Sequence, residues 1–107
     1  MSDVPKVQDD LYLYLTKNLS ELQAKYPNEP EKSQFMTQYV NARRNYNDSI
    51  NKKFKDDDPA VASLMAQMKQ QQATIKKEVA ANASAAKILS AITTAVQVGA
   101  KLASLGV

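Results

Sequence analysis

The chain has 107 residues, 44% of them hydrophobic, with two Gly and four Pro, so it is long enough for one folded domain and is not a low-complexity disordered chain. Cysteine and histidine are absent, which excludes disulfides, zinc sites, Ser-His-Asp triads and cysteine nucleophiles. The net charge of +3 is uneven, because nine Lys or Arg and ten Asp or Glu precede Pro59 whereas five Lys and one Glu follow it.

The first predicted helix covers about residues 3–26. Ser2 or Asp3 can cap it, and Pro5 falls in the first turn, where the missing N–H of proline costs nothing. Apolar residues then recur every three or four positions, which is the period of one helical face. They are Val4, Val7, Leu11, Tyr14, Leu15, Leu19, Leu22 and Tyr26.

A second helix is expected over about residues 30–55, after a joint that contains Pro27 and Pro30. Proline disfavours helical geometry at the residue before it, so the first helix must stop in this joint. Because the joint is short, the two helices should form an antiparallel hairpin. The apolar stripe of the second helix comprises Phe35, Met36, Tyr39, Ala42, Tyr46, Ile50 and Phe54.

The acidic run before Pro59 predicts the start of a third helix. Asp58 is expected to be its N-cap and Pro59 its first residue, and the preceding acids suit the positive end of the helix dipole. A calcium loop is the alternative interpretation of such a run. The glycine turn and the glutamate at loop position twelve are both missing, so capping is favoured and no metal site is predicted.

One long helix is predicted over about residues 59–105, because apolar or small residues recur there at heptad spacing. Asn82 falls on this seam, where a polar side chain can fix the register or mark a local bend. The expected fold class is all-α: a helical hairpin plus one long C-terminal helix, as a single domain over residues 1–107. A three-helix bundle would end near Asn82, with the rest of the helix extending or folding back.

The C-terminal segment carries small residues every four positions, including Ala91, Ala95, Gly99 and Ala103, and such a row lets another helix approach closely. Two interpretations stay open: the segment is buried in the bundle of its own monomer, or it mediates association. Because the first two helices can cover only the first half of the third, we predict association. The predicted association face is Leu89, Ile92, Ala95, Val96, Gly99, Leu102 and Ala103.

Contact with a membrane is the alternative for residues 85–105. The apolar stretch between Lys87 and Lys101 has thirteen residues, fewer than the roughly twenty that a transmembrane helix needs. An interfacial helix anchored by the two lysines, or a pore-forming oligomer, is compatible with this length. The basic second half of the chain would suit an anionic surface, although a solvated excess of charge is the commoner explanation.

No catalytic residue or cofactor is predicted, since the carboxylates and lysines form no constellation with a nucleophile or base. Arg43 and Arg44, with nearby lysines, are interpreted as a solvated face, because acids in the same half nearly cancel their charge and no base-reading motif is present. A nucleic-acid partner is therefore not expected. The first ten residues lack a basic and apolar leader, so no Sec signal peptide is expected, and the location would be cytoplasmic or reached by a leaderless route.

The segment from Asn47 to Val79, with Asp58-Pro59-Ala60-Val61 in its turn, resembles the helix, turn and helix of type III secretion needle subunits. The resemblance implies a secreted, leaderless helical hairpin that polymerises through its C-terminal helix. The additional N-terminal helix and the Ala-rich tail depart from that family. The expected function is a non-enzymatic helical interaction or structural protein, a homo-oligomer or the partner of another helical protein; a membrane-active protein is the alternative.

Overall fold

Four α-helices make up the structure, a computed structural model that describes all 107 residues. They are α1 (Val4–Lys25), α2 (Glu31–Ile50), α3 (Pro59–Ala80) and α4 (Ala85–Ser104), and no strand is present. The all-α prediction is confirmed. The prediction of three helices with one long C-terminal helix is wrong, because that helix is divided into α3 and α4. The bundle measures 41 × 22 × 19 Å.

The division between α3 and α4 has a local cause at Asn82. Asn82 adopts a left-handed backbone conformation with φ of 56°, which asparagine tolerates better than most residues. The N–H of Asn82 then bonds Val79 O at 3.1 Å and the N–H of Ala83 bonds Glu78 O at 3.0 Å, the two hydrogen bonds of a Schellman motif. Ser84 caps the next helix by accepting a hydrogen bond from the N–H of Lys87. The chain therefore stops one helix and starts another within four residues.

The chain forms two antiparallel hairpins, α1 with α2 and α3 with α4. The hairpins pack side by side with α2 parallel to α4. Asn45 of α2 donates to the Val96 carbonyl of α4, and Lys52, two residues past the end of α2, donates to the Ala103 carbonyl near the end of α4. Helix α4 contacts all three other helices, whereas no Cα atom of α2 lies within 8 Å of one in α3. The connection from α2 to α3 therefore crosses the end of the bundle diagonally, and α4 is the central helix.

Helix α2 contributes few large apolar side chains to the core. Its only buried hydrophobic residues are Phe35 and Ala42, and the polar Asn45 and Ser49 are buried beside them. Ile50, which the sequence placed on the core stripe, is 50% exposed. The predicted stripe combined two different faces of α2, because Phe35 and Met36 were both assigned to it.

Helix α2 ends at Ile50, five residues before the predicted boundary. In the segment that follows, the N–H of Lys53 donates to the Val107 carbonyl at 2.9 Å and the N–H of Val107 donates to the Lys53 carbonyl at 3.0 Å. Because these groups bond the other end of the chain, they are not available to continue the helix. Lys52 Nζ also donates to the Ala103 carbonyl at the end of α4, where a cation suits the helix dipole.

Candidate functional site

The predicted association face lies inside the monomer. Ile92, Ala95 and Leu102 are 0% exposed, and the four other predicted residues, Leu89, Val96, Gly99 and Ala103, are also buried. The expectation that nothing in the monomer could cover this face is wrong. The break at Asn82 turns α4 back along α3, so that α1, α2 and α3 surround it. The face is interior packing in the folded chain.

At Gly99, helix α4 lies close to all three other helices. A methyl group at Gly99 would lie 2.7 Å from Oε1 of Gln8, 3.1 Å from Nδ2 of Asn45 and 3.3 Å from Cε of Met68. These neighbours belong to α1, α2 and α3, one from each helix. We predicted that Gly99 allows the close approach of a second molecule. In the structure it allows the close approach of the three other helices of the same chain.

Three buried amide side chains link the helices around Gly99. Gln8 donates from Nε2 to the Gly99 carbonyl at 2.7 Å, and Asn45 donates from Nδ2 to the Val96 carbonyl at 3.0 Å. The third, Gln72 of α3, donates to the main chain of α1 at 3.1 Å. Amides cannot act as acids or bases near neutral pH, so this layer sets the register between helices and offers no chemistry.

Asp58 and Pro59 lie where the sequence placed them. Asp58 is the N-cap of α3, with its Oδ1 accepting hydrogen bonds from the N–H groups of Ala60 at 2.9 Å and Val61 at 3.4 Å. Pro59 is the first residue of the helix. The carboxylate of Asp58 therefore satisfies backbone donors that the first turn of a helix leaves without partners.

The neighbouring Asp56 serves a different helix. Its carboxylate accepts hydrogen bonds from the Ser2 hydroxyl and, at 2.7 Å, from the N–H of Asp3, at the start of α1. The hydrogen bond from Ser2 has the largest effect and lowers the pKa of Asp56 below its ordinary value; burial opposes it, and the hydrogen bond from Asp3 adds to the lowering. No three Asp or Glu residues in the chain are grouped so that they could hold a metal ion.

The outer side of the α1–α2 hairpin carries a cluster of three tyrosines. The ring of Tyr12 lies 5.8 Å from that of Tyr39 and 5.8 Å from that of Tyr46, and the second pair is stacked. The Arg43 guanidinium lies over the Tyr39 ring, 5.9 Å from its centroid. Two exposed apolar residues of α2 share this side. We define the tyrosine face as Tyr12, Met36, Tyr39, Arg43, Tyr46 and Ile50.

The α2 residues of the tyrosine face form a second stripe on that helix. From Met36 to Ile50 they are spaced alternately three and four apart, as on one face of a helix. Met36 is 43% exposed and Ile50 is 50% exposed, and the tyrosines between them are partly exposed. Sequence reasoning missed this surface because it assigned both stripes of α2 to one core face.

Two electrostatic features describe the tyrosine face. The neighbouring Tyr39 hydroxyl raises the pKa of Tyr12 above its ordinary value, desolvation raises it further, and the positive charge of Arg43 opposes the rise. Arg43 itself has no carboxylate partner, because the one ion pair in the structure joins Lys6 and Asp10. The face therefore combines aromatic rings with a cation that no acid of the same chain neutralises.

Three other grooves on the surface are lined mostly by polar residues. A groove between α2 and α4 encloses about 540 Å³ and continues into one of about 270 Å³, the two sharing Thr93 and Gln97. At the end of the bundle where α2 finishes, a depression of about 590 Å³ lies among the lysines from Lys52 to Lys55 and the acids Asp56 and Asp57. Neither groove nor depression brings together a nucleophile and a base.

None of the four helices combines the length and the apolar character that crossing a bilayer requires. Comparison of the chain with protein-family models, with curated proteins and with solved structures gives no match.

Proposed function

We propose that this chain is a non-enzymatic structural or interaction protein that associates with its partner as a folded bundle. The observation that carries the proposal is the tyrosine face, an exposed surface that combines stacked tyrosines, an arginine and two exposed apolar side chains. Tyrosine and arginine are enriched at protein contacts, because each offers a large area for packing together with a polar group. The proposal moves the contact from α4, which the sequence favoured, to the α1–α2 hairpin.

The burial of α4 supports this change of surface. Association through Leu89, Ile92 or Gly99 would first require α4 to leave the bundle and would expose apolar side chains, each stabilising the core by roughly 1.5 to 3 kcal/mol. Association through the tyrosine face requires no such opening. It uses side chains that the folded monomer leaves in water.

Sedimentation equilibrium of the pure chain over a wide range of concentration tests the proposal in the homo-oligomer form that we favour. We expect the mean mass to rise from the 11.8 kDa of one chain towards a multiple of it as concentration increases. Helix content, followed by circular dichroism, should stay constant, because the bundle associates without unfolding. A constant mass of 11.8 kDa at every concentration would contradict self-association.

Membrane activity is a second candidate function, and the composition of α4 favours it. The only charged residues of this helix are Lys87 and Lys101, one near each end, and every buried residue on it is apolar or glycine. If the two hairpins separated, α4 would present an amphipathic helix with two cationic anchors to an anionic surface. Helix α2 holds α4 through few large apolar side chains, which lowers the cost of such a separation.

Co-sedimentation with anionic vesicles tests this second candidate. Replacing Lys87 and Lys101 together with glutamine should lower the bound fraction. The matched control replaces Lys69 and Lys77, two exposed lysines of α3, and should leave binding unchanged. A parent chain that stays in the supernatant at low salt would exclude the membrane candidate.

A role in a secretion apparatus or filament, which the resemblance of residues 47–79 to needle subunits implies, stays a prediction. Helices α2 and α3, which that segment joins, do not pack against each other in the bundle. A needle-type assembly would therefore need a different arrangement of the hairpins. Electron microscopy of concentrated protein tests for filaments directly.

A further inference from the structure

We propose that the tyrosine face is an oxidative cross-linking site, at which a peroxidase with hydrogen peroxide joins Tyr12 of α1 to Tyr39 of α2. The product is a dityrosine, with a carbon–carbon bond between the two rings of one folded chain. Because the reaction takes place inside a single chain, it does not depend on the proposed function. Three features of the chain lead to it: the lack of competing residues, the neighbours of the five tyrosines and the orientation of the paired rings.

The chain has few side chains that compete with tyrosine for a one-electron oxidant. Tryptophan and cysteine, the other side chains that commonly form radicals, are absent, and so is histidine. Methionine reacts with peroxide by a different route, in which an oxygen atom is transferred to its sulfur. Two of the four methionines, Met65 and Met68, are buried in the core. One-electron oxidation of this protein therefore falls on its five tyrosines.

Only the tyrosines of the tyrosine face have another tyrosine ring beside them. The ring of Tyr12 lies 5.8 Å from that of Tyr39 and 5.8 Å from that of Tyr46. Tyr14 and Tyr26 have other neighbours, a lysine and a phenylalanine respectively. A phenoxyl radical on Tyr14 or Tyr26 therefore has no tyrosine ring next to it, whereas a radical on Tyr12 has two.

Tyr39 is the better placed of the two partners of Tyr12. Dityrosine forms between the Cε carbons, which adjoin the carbon that bears the hydroxyl, so the hydroxyl ends of the two rings must meet. The Tyr39 hydroxyl raises the pKa of Tyr12 as a hydrogen-bond partner, and Tyr46 makes no such contribution. The centres of the Tyr12 and Tyr39 rings must approach by about 1.5 Å for the bond to form, a movement that partly exposed side chains make in picoseconds to nanoseconds.

The reaction balances with hydrogen peroxide as the oxidant. Each phenol loses one electron and its hydroxyl proton, which leaves a phenoxyl radical on each ring. The two radicals combine at Cε, and each ring recovers its aromaticity when the hydrogen at that carbon moves to the phenol oxygen. The two electrons and two protons that are removed reduce one hydrogen peroxide to two waters. Because the folded hairpin holds the rings side by side, coupling within the chain is faster than the encounter of two molecules in dilute solution.

The cross-link would fasten α1 to α2 and close the hairpin into a covalent loop from Tyr12 to Tyr39. A loop of this kind limits the conformations of the unfolded chain and so stabilises the folded one, as a disulfide does. Because cysteine is absent, a disulfide cannot supply such a cross-link in this chain. The Tm of the purified cross-linked protein should therefore be higher than that of the untreated protein.

Oxidation of the full chain by a haem peroxidase and hydrogen peroxide, at a concentration too low for the chains to associate, tests the proposal. Intact-mass spectrometry should show a single chain that is lighter than the parent by two hydrogen atoms. Trypsin cuts after Arg43 and Arg44 and so separates the two tyrosines of α2. The expected cross-linked product joins the peptide of residues 7–17 to that of residues 33–43.

Two variants identify the tyrosines that react. Tyr12→Phe should lower the yield of cross-linked chain about tenfold or more, because phenylalanine has no hydroxyl to oxidise and the positioned pair is lost. Tyr14→Phe is the matched control, since it lies in the same helix and the same tryptic peptide, and should leave the yield unchanged. Circular dichroism of both variants verifies that the helices are intact.

Three results would contradict the proposal. A product that consists of two linked chains would show that the reaction is not internal to one molecule. A Tyr12→Phe variant that cross-links as well as the parent would show that Tyr12 is not the reacting residue. A link from residues 7–17 to residues 45–52 would overturn the choice of Tyr39 as the partner.

Discussion

Gln8 and Gly99 are 91 residues apart in the sequence, yet the Gln8 side chain donates a hydrogen bond of 2.7 Å to the Gly99 carbonyl in the centre of the bundle. The contact depends on the missing side chain of Gly99, because a methyl group there would lie 2.7 Å from the Gln8 oxygen. At Gly99, the close packing of the helices and the buried hydrogen bond from Gln8 therefore both depend on the absence of a side chain. The pair relates the first helix to the last across a diagonal of the bundle.

Gly99→Ala should destabilise the monomer. The added methyl group displaces the Gln8 amide from its hydrogen bond, and overpacking of this kind costs roughly 1 to 3 kcal/mol. Alanine is the better helix former by about 1 kcal/mol, so the net loss in the free energy of unfolding should be modest but measurable by urea denaturation. In a Gln8→Ala background the same substitution should cost less. Equal costs in both backgrounds would mean that the two side chains do not compete for space.

Leu15→Ala and Ile50→Ala should differ sharply in their effect on stability. Leu15 is 2% exposed, so its truncation should cost about 2 to 4 kcal/mol through lost burial and a cavity. Ile50 is 50% exposed and should cost less than about 1 kcal/mol. The sequence pattern alone placed both in the core, so this pair tests the burial that the structure assigns. Similar losses at the two sites, measured by chemical denaturation, would contradict it.

Asp58→Ala should lower the free energy of unfolding by about 1 kcal/mol, the usual value of an N-cap. The substitution removes the acceptor of the Ala60 and Val61 hydrogen bonds at the start of α3. Asp57→Ala is a matched control, because this exposed neighbour makes no side-chain hydrogen bond. Thermal or urea unfolding of the two variants checks the difference. A parent chain stabilised by added calcium would instead support the metal interpretation of the acidic run.

Asp56→Asn should make the free energy of unfolding depend less on pH in the acid range. Hydrogen bonds from Ser2 and Asp3 hold the pKa of Asp56 below its ordinary value of 3.8, so the folded state favours the charged carboxylate. The stabilisation is therefore complete above pH 3.8 and is lost as the pH falls through the lower pKa of the folded state. The difference in unfolding free energy between parent and variant should shrink over that acid range.

Ser2→Ala serves as the companion variant in the same titration. It removes the hydroxyl that makes the largest contribution to the lowered pKa of Asp56. Urea denaturation at a series of pH values should show a reduced acid dependence in this variant as well. An acid dependence that matches the parent in both variants would show that Asp56 does not contribute to it.

The helix boundaries with strong local signals were predictable from sequence. Pro27 and Pro30 mark the first joint, and Asp58 with Pro59 marks the second, because proline and a capping carboxylate act on their immediate neighbours. The break at Asn82 has a weaker signal, since the heptad pattern runs through it without Gly or Pro. Asparagine followed two residues later by the capping Ser84 was the pattern that could have revealed it.

The internal contacts were harder to predict because they join distant parts of the chain. Gln8, Asn45 and Gln72 bond carbonyl groups that lie 91, 51 and 65 residues away. The sequence around an amide side chain on a helix does not indicate which carbonyl group of another helix will accept its hydrogen bond. The same limit applies to the tyrosine face, since Tyr12 and Tyr46 come together only through the docking of α1 on α2.

Helix α4 contacts all three others and is also the last of the four to be synthesised. While the ribosome is still adding it, Met68, which is 0% exposed in the folded bundle, lacks its neighbour Gly99 of α4. A nascent chain of three helices therefore shows apolar surface to chaperones and proteases until α4 folds back. Chains truncated before Asn82 should therefore be degraded or aggregate, because α4 is missing from them.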